Sequence, residues 1–354
     1  MVKPQNQTAI RSPLSYFGAK QRLSKNIIAL FPKHEVFVDV FCGSGAILFA
    51  KRTSKIEVIN DINGHLATFF QVVADPLKSQ ELVRRLDLTP YSLDEFNLAK
   101  NNIDEVGIDD IEVARRVMVM HRQSWNGTGD KWSYSTSSSV GGASESVSKF
   151  RRGVARIPAV STRLQRVQIE NRSWERILET YDSETTLFYL DPPYLKAVRT
   201  LSGGGYKHEM TTSDHKALIQ RLLTIKGFAI LSGYSHPIYD EPLLVAGWKR
   251  IDFEVVAHTS IKRSERTECV WISPRCIRYV DRGSVKFTHP DETKRQAGAR
   301  RTHQIRTEQT EQLLKDAITS LKATGKKVTQ TSVSEMTSVS RFQISRRYRH
   351  LFKK

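Results

Sequence analysis

The chain has 354 residues, enough for a full enzyme core plus a smaller unit at roughly 100–200 residues per domain. Lys and Arg total 55 against 37 Asp and Glu, a formal +18, which favours a polyanionic partner, with nucleic acid first and an anionic membrane as the competitor. Three cysteines without a CxxC pair or a His/Cys cluster at zinc spacing imply neither disulfides nor a structural metal. No apolar run approaches the roughly 18 residues of a membrane span, and "MVKPQNQTAIRSP" lacks a signal-peptide core, so a soluble cytosolic protein is expected.

Along the chain, short apolar runs alternate with amphipathic stretches. "EVFVDVF", "IEVIN", "RVQIE", "TLFYL", "FAILSG" and "CVWIS" read as strands, and helical stretches such as "HKALIQRLLTIKG" lie between several of them. This rhythm predicts an α/β core around a largely parallel sheet, with a ligand crevice outside the carboxyl ends of the strands.

The first motif is "VFVDVFCGSGAILFAKR" (36–52), a strand that runs through Gly43-Ser44-Gly45 into a helix starting near Ala46. Glycines let backbone amides approach a ligand closely, and a following helix offers its positive end. Asp61 closes the next strand, where a carboxylate accepts the hydroxyls of a ribose. A purely structural turn is the competing reading of the glycines, and the acid at the next strand end counts against it. A dinucleotide is disfavoured because Leu48 stands where GxGxxG needs its third glycine. Asp39, inside the first strand, suits a cationic ligand, and S-adenosylmethionine carries both an ammonium and a sulfonium. Phe41 completes the set of cofactor-lining positions in this loop.

"DKWSYSTSSSVGGASESVSKFRRGVAR" (130–156) is Ser- and Gly-rich before turning basic, and reads as a long surface loop. Next comes "LFYLDPPYLK" (187–196), an apolar strand ending in an acid and two prolines. The exocyclic amine of adenine is a poor nucleophile because its lone pair is delocalised into the ring. If the Asp191 carboxylate and the Pro192 carbonyl both accept its hydrogens, the lone pair becomes available to an electrophilic methyl. Pro193 stiffens the turn, and the Tyr194 ring can stack on an extruded base.

Beyond a polar linker at 280–305, residues 291–354 carry fifteen Lys or Arg against six Asp or Glu, half of the whole net charge. "TEQTEQLLKDAITSLKATG" (307–325) places Leu313, Leu314, Ala317, Ile318 and Leu321 on one helical face. Two short helices follow in the reading: Thr331 to Met336, a turn at Thr337 to Val339, and a basic helix capped by Ser340 and carrying Arg341, Gln343, Arg346 and Arg347. A merely basic helical tail is the alternative to this helix-turn-helix pattern.

"FVDVFCGSG" and "LDPPY", with "SYFGAK" (15–20) upstream, resemble the N6-adenine DNA methyltransferases of the Dam type, in the alpha order of cofactor loop, recognition region and DPPY. The resemblance spans roughly residues 10–278, a boundary good to a few residues. It implies a Rossmann-like methyltransferase sheet (10–63 and 166–279), an inserted, mostly helical target-recognition domain (64–165), and a separate all-α module at 306–354. It further implies S-adenosylmethionine as cofactor, double-stranded DNA as substrate, no metal, and cofactor contacts from Tyr16 and Lys20, with Asp61 on the ribose and Asp191 serving both amine and cofactor. A monomer is expected.

"HRQSWNGTGDKW" (121–132) resembles the family's Arg-x-Ser-aromatic-Asn-Gly segment. Arg122, Asn126, Arg151, Arg152 and Arg156 are candidate DNA contacts, each weighed against a solvated surface charge or a turn-shaping residue. "YKHEMTTSDHKAL", "ILSGYS" and "RTECVWISP" match later parts of the family without assigned chemistry, and His208 and His215 read as packing or hydrogen-bonding residues. An RNA or protein amine methyltransferase, or a DNA-binding regulator with an inactive core, are the alternative functions.

Overall fold

The structure, a computed structural model, describes residues 10–138, 142–195, 208–259, 262–279, 310–324, 327–337, 339–340, 344–345 and 348–352. The chain divides into two compact units, Met1–Thr288 and His289–Lys354. The expected linker at 280–305 lies outside the described residues, as do Arg341, Gln343, Arg346 and Arg347.

The larger unit is built on seven strands: β1 (Val36–Asp39), β2 (Ile56–Asn60), β3 (Gln168–Glu170), β4 (Thr186–Leu190), β5 (Phe228–Gly233), β6 (Lys249–Thr259) and β7 (Lys262–Ile272), in the order β3-β2-β1-β4-β5-β7-β6. Helices among the described residues are α1 (Ser24–Ile28), α2 (Ala46–Ala50), α3 (Gly64–Ala74), α4 (Pro76–Asp87), α5 (Leu93–Asn101), α6 (Asp110–Gln123), α7 (Glu145–Val154), α8 (Ile157–Leu164), α9 (Trp174–Tyr181), α10 (Thr212–Leu223), α11 (Pro237–Val245) and α12 (Pro274–Ile277). No helix among the described residues is long and apolar enough to cross a membrane.

The first five strands of the order run parallel, and β7 returns antiparallel to β5. A parallel sheet covered on both faces needs strands that are apolar on both sides. Here Phe37, Leu187, Tyr189 and Ile230 enter one core, while Val38, Phe188, Leu190 and Leu231 enter the other. Leu66, Phe70, Phe150 and Ile157 of the inserted helices share the first core with Phe37 and Leu187, so these helices are packed onto the sheet. The chain leaves β1 toward β2 and later returns to β4 on β1's other side, which opens a crevice at the carboxyl ends of β1 and β4.

β6 is not among the expected strands, although Ile251, Phe253 and Val255 alternate with charged residues in "KRIDFEVVAHT". It forms by pairing along the full length of β7, as a hairpin does when one strand is already anchored. The expected surface loop at 130–156 also needs correction. Its second half is α7, capped by the Ser144 side chain and held by the burial of Phe150, Gly153 and Val154. Ser-rich composition hid a single anchoring aromatic.

In the smaller unit, residues 310–323 form a helix that buries Leu314, Ala317, Ile318 and Leu321, while Leu313 stays half exposed, off the face assigned to it. A second helix spans Gln330–Thr337, and Val333, Ile344 and Tyr348 complete the same small core.

One group of buried charges in the larger unit is paired among its own members. Glu57 at the edge of β1 and β2 binds Lys51 Nζ at 2.6 Å and also pairs with Arg163; all three are buried. Burial opposes the Glu57 charge, but the two cations win and hold its carboxyl below the usual range. Removing one partner of such a group leaves an uncompensated charge. Glu57→Gln is therefore expected to cost about 3–5 kcal/mol of stability, measured by urea unfolding.

Candidate active site

The glycine loop leaves β1 with Gly43 at φ +49° and Gly45 at φ +69°, a region open to glycine at little cost. A Cβ on Gly45 would lie 2.7 Å from the Phe49 ring, and one on Gly43 would lie 3.1 Å from the Tyr16 ring. Asp61, just past β2, accepts from Gly43 N and Asn63 N, each at 2.9 Å, so its carboxylate orders the loop. Burial raises the Asp61 pKa and the two amides offset part of that. The helix expected to follow the loop is α2, five residues long, and its first residues Ala46 and Ile47 line the crevice beside Gly43 and Ser44.

Asp39 ends β1 in register with Tyr189 of β4, which places Asp39 and Asp191 at neighbouring strand ends. Asp39 is 2% exposed, and its Oδ1 has no hydrogen-bond partner among the described residues. Burial, then Asp191 and Asp61, push its pKa well up. Two adjoining clefts meet here. One, of about 400 Å³, is lined by Tyr16, Lys20, Asp39, Phe41, Gly43 and Asp191, among others. The other, of about 420 Å³, shares Tyr16, Phe41, Gly43 and Asp191 and adds Asp61, Pro193 and His208. Every expected cofactor residue thus borders one of the two clefts except Gly45, which acts through the loop's shape, and Asp191 stands where they join. A buried carboxylate oxygen without a donor fits a ligand bearing a cation or N–H groups, which is what the expected cofactor would bring.

Asp191 is held from two sides. Lys20 Nζ donates to its Oδ2 at 2.9 Å, and Tyr194 OH lies 3.2 Å from its Oδ1. Two residues that the sequence reading left without chemistry join them. Glu268 of β7 accepts from Tyr194 OH and lies 3.4 Å from Lys20 Nζ, while the Tyr234 ring meets Tyr194 edge-on with centroids 4.6 Å apart. Burial first, and Asp191 in addition, raise the Glu268 pKa, against the pull of Lys20. The signal was present in "TECVW": a lone acid among residues that alternate onto two cores. The ring of Tyr194, expected to stack on an extruded base, is 6% exposed, with Lys20 Nζ 4.9 Å from its centroid and Tyr234 edge-on against it.

Arg122, expected to touch DNA, is turned inward. Its guanidinium donates to Pro13 O at 2.6 Å and Ser15 Oγ at 2.9 Å, with Gly153 leaving room for it. Burial, then Arg156 and Arg152, push its pKa down to about 10. Beside it, the His121 ring lies 4.9 Å from that of Tyr16, and Asn126 adopts the left-handed conformation at φ 52° on an exposed turn with Trp125. The turn therefore braces the Tyr16 segment while presenting Trp125 and Asn126 outward. Arg151 donates to the Leu86 and Asp87 carbonyls at the end of α4, Arg156 to Ser12 O, and Arg152 is exposed. His215 is buried against the Tyr239 hydroxyl at 2.6 Å, as a packing residue would be. Among the described residues, no cluster of His, Cys, Asp and Glu could hold a metal ion.

Two outcomes follow for this site. Because Asp39 binds its proton more tightly folded than unfolded, stability falls as pH rises from the usual carboxylate range through its raised native value. Asp39→Asn should remove that slope, raise stability at neutral pH by about 1–2 kcal/mol, and weaken binding of the expected cofactor, as read by thermal unfolding across pH and by calorimetric titration. At Gly127, φ is +69° and a Cβ would lie 2.5 Å from Ser15 O. Gly127→Ala should cost about 1–3 kcal/mol and weaken the same titration, since Tyr16 follows Ser15.

Residues 16–238 match the D12 class N6 adenine-specific DNA methyltransferase family. The chain is 25% identical over 289 residues to the type II methyltransferase M.FokI of Planomicrobium okeanokoites, covering 75% of this chain and 42% of that protein. It is 26% identical over 232 residues to modification methylase LlaI of Lactococcus lactis subsp. lactis, covering 60% and 34%. Over a shorter stretch of 96 residues it is 34% identical to modification methylase StsI of Streptococcus sanguinis, covering 27% and 14%. The chain thus spans less than half the length of each of these relatives. With the matched region running from Tyr16 through the glycine loop and Asp191 to Ile238, the chain belongs to the D12 class of N6 adenine-specific DNA methyltransferases.

Proposed function

We propose that this protein methylates N6 of adenine at a specific site in double-stranded DNA, with S-adenosylmethionine as methyl donor. The observation that carries this is the position of Asp191 at the junction of two clefts, beside an Asp39 oxygen that lacks a partner among the described residues. Tyr16, Lys20, Asp39, Phe41 and the Gly43 loop would hold the cofactor, with Asp61 toward its ribose. When bound, the cofactor supplies an electrophilic methyl on a sulfonium.

The chain's own residues do the rest. The Asp191 carboxylate and the Pro192 carbonyl accept the two hydrogens of the target amine and aim its lone pair at the methyl. Pro193 fixes the turn that carries both acceptors. Lys20 orients the Asp191 carboxylate by donating to it at 2.9 Å. A base inside a duplex cannot reach this crevice, so the adenine must be extruded, and the exposed Trp125 and Asn126 stand on the turn nearest the Tyr16 segment. Arg152, exposed on α7, is an arginine contact to DNA in this reading.

The small C-terminal unit adds affinity for DNA in this reading. Its helical core and its share of the positive charge support a helix-turn-helix module, with Arg341, Gln343 and Arg346 as proposed DNA contacts. One site handles one adenine at a time, so a monomer suffices, acting in the cytoplasm on the nucleoid.

Expression in a methylation-free host, followed by long-read detection of modified bases, tests the proposal. N6-methyladenine is expected in one short motif, with Asp191→Ala reducing the transfer rate by at least about 10³-fold. Unmodified DNA from cells holding the folded wild-type protein would refute it.

A further inference from the structure

Glu268 lies on β7, outside the glycine loop and the Asp191 turn, yet its buried carboxylate meets the two groups that hold Asp191. The charged and titratable groups facing it are Lys20 from the N-terminal segment, Asp191 and Tyr194 from the turn after β4, and Tyr189 within β4. The Lys20 ammonium has hydrogens for Gly18 O at 3.0 Å, Asp191 Oδ2 at 2.9 Å and Glu268 Oε1 at 3.4 Å. The Tyr194 phenol carries one hydrogen, so it serves one carboxylate at a time. Asp191 lies closer to the ammonium and is the better compensated of the two acids, which leaves Glu268 as the stronger acceptor for the phenol.

We propose that Glu268 is a positioning residue for methyl transfer: by drawing the Tyr194 hydrogen to itself, it keeps Asp191 Oδ1 open as an acceptor for the target amine. This rests on the function proposed above. Without the Glu268 charge, the phenol turns its hydrogen toward Asp191 Oδ1, 3.2 Å away, and competes with the amine for the same lone pairs. The dependence on pH follows. Burial and Asp191 hold the Glu268 pKa above its ordinary value, so its protonation on acidification misdirects the phenol while the rest of the fold is intact.

Steady-state methyl transfer to a duplex oligonucleotide carrying the mapped motif tests this across pH, using the full-length chain. Glu268→Gln is expected to lower kcat on the order of 10- to 100-fold, to leave the KM for S-adenosylmethionine within about twofold, and to flatten the acid limb of kcat. Tyr194→Phe removes the hydrogen at issue, so adding Glu268→Gln to it should cost no more than about twofold further. An unchanged kcat and acid limb in Glu268→Gln, or fully additive losses in the double variant, would overturn the positioning role while wild-type activity upholds the function. A wild type that methylates no duplex DNA would overturn the function and this role together. Should Glu268→Gln not fold, Tyr194→Phe alone decides: its acid limb must be flatter than that of the wild type, and an unchanged limb defeats the proposal.

Discussion

Parallel pairing of β1 with β4 brings Asp39 and Asp191 to neighbouring strand ends, where burial makes their mutual repulsion costly. The surroundings answer that cost in different ways for the two acids. Asp191 receives the Lys20 ammonium, with the Tyr194 hydroxyl 3.2 Å from its other oxygen, while one Asp39 oxygen receives nothing from the described residues. Lys20 comes from the segment after Tyr16, and that segment is kept in place by Arg122, His121 and Gly127 of the inserted helices. The helical insertion therefore holds the segment that carries the Lys20 ammonium beside Asp191.

The contrast with other buried acids in the larger unit shows where stability has been given up. Glu57 has Lys51 and Arg163, and Asp240 has Arg250, Ser235 and the Trp271 indole. Each of those carboxylates is paired with a cation, as buried charges in a stable fold must be. Asp39 breaks the rule in the crevice and nowhere else on that strand. Local violations of this kind concentrate at sites built for a ligand, which supplies the missing partner on binding.

The site also gathers its members from opposite ends of the larger unit's sequence. Lys20 lies before the first strand, Asp191 after the fourth, and Glu268 on the last, yet one ammonium and one phenol connect them. Such a network couples the turn after β4 to the antiparallel side of the sheet. Membership in the D12 class covers residues 16–238, and Glu268 lies beyond that stretch.

Local patterns in the sequence carried the glycine loop, the strand-ending acids and the alternation of strands and helices, because each depends on a few adjacent residues. Gly43 and Gly45 adopt positive φ values that only local chemistry selects, and the apolar runs of the central strands are apolar on both faces whatever their neighbours. Tertiary structure alone decided what depends on distant partners. It turned Arg122 inward, since Pro13 and Ser15 lie more than a hundred positions away in the chain, and it covered the Tyr194 ring with Lys20 and Tyr234. It drew the charged β6 into a hairpin and placed Glu268 beside Lys20 and Tyr194. A motif fixes which groups are available, but the direction of a side chain and the donor a carboxylate finds are set by packing across the whole unit.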